Sequence, residues 1–185
     1  MIRRNKTGES AVNKDMLSKQ RRYDSLVRAL QADLYRYAFW LCNDKQVAED
    51  ITQETFLRAW RSMESLKDDK AAKAWLITIL RRENARRFER KQFDYSDVDQ
   101  SQLEDTYSLS SEDNMEKQWL RRQISLLESE YREPLLLQII GGFSGEEIAD
   151  ILQLNRNTVM TRLFRARNQL KESLEGAHAK GKSNG

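Results

Sequence analysis

The sequence predicts an all-α protein: two small helical domains joined by a flexible acidic linker, the second containing a helix-turn-helix. Three observations carry this reading. One proline and 7 glycines are spread over 185 residues, and no stretch sustains the alternation of a β-strand. Apolar residues recur instead at three- and four-residue steps. Between Phe93 and Glu116 there is no lysine or arginine, whereas Asp94, Asp97, Asp99, Glu104, Asp105, Glu112, Asp113 and Glu116 are acidic.

Residues 1–20 are polar and aperiodic, and a flexible tail is expected there. From Tyr23 to about Cys42, Leu26, Leu30, Leu34, Tyr37, Ala38 and Leu41 keep helical spacing. Asn43-Asp44 ends that run, and Asp44 suits the N-cap of a second helix, whose Val47, Ala48, Ile51, Thr55, Ala59 and Met63 share one side. The polar break Lys67-Asp68-Asp69-Lys70 leads to a third helix, Ala71 to about Lys91. Its first half is apolar (Trp75, Leu76, Ile79, Leu80). Its second half is dense in Arg81, Arg82, Arg86, Arg87 and Arg90. The first domain is therefore set at 21–92 and the linker at 93–116, where serine and acid replace apolar spacing.

The second domain, 117–175, begins with Trp119, Ile124 and Leu127 and breaks near Ser129. Leu135, Leu136, Ile139 and Ile140 then form an apolar helix. Pro134 lies near its start, where a missing N–H is best tolerated, and Gly141-Gly142 ends it. Ser144 and Glu147 have the spacing of a capping box and open a short helix with Ile148, Ala149, Ile151 and Leu152 buried. After a tight turn, Val159, Leu163, Ala166, Leu170 and Leu174 form the apolar face of an arginine-rich helix. At roughly 100° per residue, Thr158, Thr161, Arg165 and Asn168 point away from that face, with Phe164 and Arg162 beside them. A helix with a solvated face beside a packed partner is suited to a DNA major groove; an αα-hairpin with a charged outer face is the plainer alternative. Residues 176–185 are expected to be disordered.

Charge and cysteine narrow the class. The formal net charge is only +3, but it is strongly segregated, and segregation decides partners. The lone cysteine, Cys42, excludes an intramolecular disulfide and a cysteine-based zinc site and suits a reducing cytoplasm. Its plain reading is a small core hydrophobe. The start Met1-Ile2-Arg3-Arg4-Asn5-Lys6 is basic without a following apolar stretch, so neither a signal peptide nor membrane insertion is expected. His178 has no partners for a metal site. No nucleophile–base pair, phosphate loop or ligand cluster is present, so no catalytic residue, metal or cofactor is expected and an enzyme is disfavoured.

The runs Ala48-Glu49-Asp50-Ile51-Thr52-Gln53-Glu54-Thr55-Phe56-Leu57-Arg58-Ala59-Trp60, Ala74-Trp75-Leu76-Ile77-Thr78-Ile79-Leu80, and Glu146-Glu147-Ile148-Ala149 with Thr158 through Arg167 resemble, in that order, a bacterial RNA polymerase sigma factor of the extracytoplasmic function group. The first looks like the polymerase-binding part of region two, the second like the start of its promoter-melting helix, and the third like region four. The resemblance implies an alternative sigma factor that binds core RNA polymerase, through the β′ clamp helices and the β flap, and directs it to promoter DNA. It also makes an anti-sigma factor a candidate partner, because such partners are common in the family. Three departures stand out: Gln153 at the usual turn glycine, Asn155-Arg156-Asn157 in place of Pro-Glu-Gly, and Arg82-Glu83 in place of asparagine followed by an apolar residue.

Two readings compete at each candidate site. Asp50, Gln53 and Glu54 form either a solvated face with Glu54–Arg58 support at i,i+4 or, as the resemblance implies, the polymerase contact. Lys73, Arg81, Arg82 and Arg86 are either exposed helix or, as guanidinium forks and ammonium suited to phosphate, the minus-ten contacts. Trp75 fits the core better than a flipped base, and Trp40, Trp60 and Trp119 fit packing. In the minus-thirty-five reader, Arg165 suits a base edge, Met160, Thr161 and Phe164 suit base edges or methyls, Arg156, Arg162 and Arg167 suit phosphates, and Thr158 is a further DNA-facing candidate. A stand-alone helix-turn-helix regulator, with residues 23–92 as sensor or dimerisation domain, is the alternative; a helical scaffold without DNA function leaves the charge segregation unexplained.

Overall fold

The computed structural model describes residues 6–94 and 112–182. Their regular structure is all helical, with no strand among the described residues: α1 (Lys6–Cys42), α2 (Lys45–Arg61), α3 (Ala72–Asp94), α4 (Glu112–Leu126), α5 (Ser129–Ile139), α6 (Gly145–Leu152) and α7 (Arg156–Lys182). Single 3-10 turns at Met63–Ser65 and Asp69–Ala71 connect α2 to α3. Most of the linker lies outside the described residues.

The caps fall where the side chains place them. Asp44 accepts from the Val47 N–H at 2.9 Å and starts α2. Ser144 and Glu147 form a reciprocal capping box at α6, the Ser144 N–H donating to Glu147 Oε2 at 2.8 Å. That backbone hydrogen bond holds the Glu147 carboxyl below its ordinary pKa. The charged form is thus favoured by folding, so this contribution is present above the ordinary carboxylate range and is lost as pH falls through the lowered value. Ser144→Ala is expected to cost about 1 kcal/mol at neutral pH. Chemical denaturation at two pH values checks this: Glu147→Gln, which removes the titrating carboxylate, should differ from wild type less in acid, whereas the Ser144→Ala deficit should largely persist.

Two of the three departures from the family pattern have local explanations. Gln153 takes the left-handed conformation (φ 55°) that closes α6, and its own side-chain amide donates to the Asp150 carbonyl at 2.7 Å. Asn155 caps α7 by accepting from the Thr158 N–H at 2.8 Å.

Leu34, Tyr37, Ala38 and Leu41 of α1 meet Val47, Ala48, Ile51 and Phe56 of α2 and Leu76, Ile77 and Leu80 of α3. This core runs without a break into Ile124, Tyr131, Leu135, Leu136, Ile148, Val159, Leu163 and Ala166. Trp75 is half-buried against it, as are Trp40 and the Cys42 side chain. Burial pushes the Cys42 thiol up to about 11, so it stays protonated at neutral pH.

Four expectations need correcting. The tail over 1–20 is helical from Lys6. It is fastened from a distance: Arg22 donates to Asp69 at 2.8 Å and to the Leu66 carbonyl at 2.6 Å, and the Lys19 ammonium sits over the Trp60 ring at 5.2 Å. The disordered tail over 176–185 is likewise wrong as far as Lys182, where α7 ends. Helix α5 begins at Ser129, so buried Pro134 lies inside it and forgoes the bond to the Glu130 carbonyl. Ile139 and Leu174, placed on apolar helix faces, are 50% and 41% exposed, and Leu152, expected to be buried, is half-buried.

Candidate nucleic-acid and polymerase interfaces

Helix α2 buries Val47, Ala48, Ile51, Thr55 and Ala59, and its period turns Asp50 and Gln53 outward, both exposed. Glu54 is partly covered because it pairs with Arg58 at 3.0 Å. Arg58 also reaches Glu83 of α3 at 2.6 Å, and Glu83 pairs in turn with Arg86 at 2.7 Å. The four side chains form an alternating row of charges across the two helices. Glu83, only 8% exposed, is thus the counter-ion of two arginines and accounts for the third departure in the sequence. Leu57, 53% exposed, continues the Asp50–Gln53–Glu54 face one turn on. Sequence reasoning missed it, although a leucine off the apolar stripe was the available signal.

The four minus-ten candidates separate. Arg82 and Arg86 are exposed on α3. Arg81 turns inward and ties the two helical units together. Its Nε and Nη2 donate to Glu133 at 2.6 and 3.0 Å, and its Nη1 donates to the Ile151 carbonyl at 2.8 Å. Lys73 donates to Asp33 at 2.8 Å, lowering the Asp33 pKa, and lies over the Phe143 ring at 5.8 Å. Across the same junction the Arg121 guanidinium covers Phe39 and Trp40, at 4.4 and 5.5 Å. Arg81 can meet DNA only if the two units part, and Lys73 only if it also leaves Asp33 of its own unit.

In the helix-turn-helix, Val159, Leu163 and Ala166 are fully buried, whereas Met160 is 46% and Phe164 63% exposed. Thr158, Thr161, Arg162 and Arg165 fall on one side of α7 and line an open cleft of about 590 Å³, closed opposite by Glu130 and Tyr131 of α5. Arg162 pairs with Glu130 at 3.2 Å. Arg165 donates to the Tyr131 hydroxyl at 3.3 Å, which raises its pKa further. Arg162 and Arg165, expected from helical rotation to diverge, therefore look into the same cleft. Arg156 pairs with Glu146 at 3.6 Å, and Arg167 donates to Gln138.

Among the described residues no helix is long and apolar enough to cross a membrane. Residues 26–93 match the family described as Sigma-70 region 2, and residues 117–170 match Sigma-70, region 4. The chain is 34% identical over 134 residues to RNA polymerase sigma factor SigV of Bacillus subtilis, covering 72% of this chain and 80% of that protein. It is 33% identical over 160 residues to ECF RNA polymerase sigma factor SigL of Mycobacterium tuberculosis, covering 82% and 90%. Its fold resembles that of the sigma factor RpoE from Bartonella quintana, solved in complex with the anti-sigma factor NepR, with a TM-score of 0.66, 29% identity and coverage of 83% and 96%. Two family regions in order on one helical chain, with relatives matched over most of their length, place it: the chain belongs to the sigma-70 family, in the extracytoplasmic function group of RNA polymerase sigma factors.

Proposed function

We propose that this alternative sigma factor works as a two-handed adaptor, with residues 21–92 gripping core RNA polymerase and the minus-ten element and residues 117–175 reading the minus-thirty-five element. Sigma factors in general act by binding rather than by enzymatic chemistry, and each interface here is read as a binding surface. Asp50, Gln53, Glu54 and Leu57 would meet the β′ clamp helices, an acidic and apolar face against a partner of opposite charge. Arg82 and Arg86 would take the first phosphates near the minus-ten element. Arg81 would join them once Glu133 moves away, and Lys73 once it exchanges Asp33 for a phosphate. Arg156, Thr158, Met160, Thr161, Arg162, Phe164, Arg165 and Arg167 would form the face toward the minus-thirty-five element. Two weak readers on one chain gain affinity from each other when the polymerase fixes their separation. An anti-sigma factor as a further partner is consistent with the RpoE–NepR likeness.

The observation that carries the polymerase assignment is the joint exposure of Asp50, Gln53 and the apolar Leu57 on the side of α2 that faces away from the core. Changing Asp50, Gln53 and Glu54 together to alanine is expected to leave the melting temperature within a few degrees of wild type. The same variant should lose at least tenfold in affinity for core polymerase in a pull-down or by anisotropy. Unchanged affinity would remove α2 from the interface. A stand-alone regulator, by contrast, would bind promoter DNA equally well with and without core enzyme.

A further inference from the structure

The first turn of α5 holds two side chains that no part of the proposed interface uses, Glu130 and Tyr131. Both stand against the reading side of α7. The Tyr131 ring is buried in the core, so its hydroxyl has a fixed position on the floor of the cleft. Arg165, itself exposed on α7, donates to that hydroxyl at 3.3 Å. Arginine carries many rotamers, and ordering one on binding is costly unless the free protein has already done so. Glu130 is half-exposed beside Arg162 at 3.2 Å. A carboxylate at the mouth of a DNA-facing cleft repels phosphate and neutralises the arginine nearest to it.

We infer that Tyr131 and Glu130 are positioning residues for promoter reading: Tyr131 orients Arg165 toward a base edge, and Glu130 occupies Arg162 so that it does not grip phosphate indiscriminately. This rests on the reading of α7 as the minus-thirty-five helix. The two residues act oppositely. Losing the hydroxyl of Tyr131 removes discrimination at the base pair that Arg165 meets. Losing the charge of Glu130 frees Arg162 and adds a phosphate contact with no sequence content. Glu130 thus weakens binding to every sequence, and so limits occupancy of wrong sites.

The test uses the full chain reconstituted with core polymerase, on promoters carrying single-base variants of the minus-thirty-five element, at two or more salt concentrations. Tyr131→Phe keeps the buried ring and is expected to reduce preference at one base pair by about 3- to 10-fold, leaving the other positions unchanged. A preference ratio is insensitive to the fraction of protein folded. In the Arg165→Ala background the same change should have no further effect, because the residue it positions is gone. Glu130→Gln should tighten binding to all variants about equally, steepening the log–log salt dependence by roughly 0.9. If Arg165→Ala leaves every promoter variant unaffected, the assignment of α7 fails. If Arg165→Ala alters base preference but Tyr131→Phe behaves as wild type, or lowers preference as much without Arg165, the positioning role of Tyr131 is overturned. An unchanged salt dependence in Glu130→Gln overturns that of Glu130.

Discussion

Leu163→Ala is expected to cost about 3–4 kcal/mol of stability, and Phe164→Ala, one residue on, almost none. Leu163 is fully buried and belongs to the apolar stripe of α7 that packs with Val159 and Ala166 into the common core. Removing its branched end leaves a cavity that the surrounding helices can fill only in part. Phe164 is 63% exposed, so its truncation should shift stability by no more than about 0.5 kcal/mol. Its loss should appear in promoter affinity, where an exposed ring on the reading helix can cover a base or methyl. Urea unfolding and holoenzyme binding, measured on both variants, separate the two roles. A large stability loss for Phe164→Ala, or a small one for Leu163→Ala, would mean that α7 is rotated from the orientation described.

Alanine at position 141 is the second substitution with a large expected effect. A Cβ there would lie 2.5 Å from the Leu137 carbonyl oxygen and within 2.8 Å of the Phe143 ring. Neither neighbour yields easily. The Leu137 carbonyl accepts the Phe143 N–H at 3.1 Å, and the Phe143 ring is buried. Overpacking of this kind is expected to cost roughly 3 kcal/mol, and it falls on the turn that delivers the chain into α6. Gly142, adjacent, has open space around it but a φ of +75°, so alanine there should cost about 1 kcal/mol through backbone strain alone. Thermal unfolding of the two single variants checks the ranking. A reversed order would place the constraint in the backbone rather than in the contact.

Local chemistry was legible in the sequence, and distant chemistry was not. The Ser144–Glu147 box, the Asp44 cap and the Val159–Leu163–Ala166 stripe follow from residues within one or two turns of each other, and the structure has them in place. The early start of α1 depends on Arg22 and Lys19 reaching Asp69, Leu66 and Trp60. No periodicity over residues 6–22 announces those partners. Arg81 is the clearest case. Its place in an arginine-dense half-helix suggested phosphate, but it meets Glu133 and the Ile151 carbonyl across the linker. Glu83 stands out in the sequence only as a departure from the family pattern, yet burial between Arg58 and Arg86 makes it the centre of a charge network.

The order in which the helices pack bears on how the protein is made. In the first half, α1 packs on α2 and α2 on α3, each on its neighbour in the chain, with short connections between. Such local topologies close small loops and fold in microseconds to milliseconds. Ribosomes add about 5–20 residues per second, so this half is expected to be complete several seconds before Glu133 and Ile151 exist to receive Arg81. During that interval the nascent chain displays Arg81 without the contacts that later occupy it, whereas Lys73 already has Asp33 of α1 as its partner. Docking of the second half is then a late, post-synthetic step, and its rate, rather than folding, sets when the Arg81 guanidinium leaves the surface.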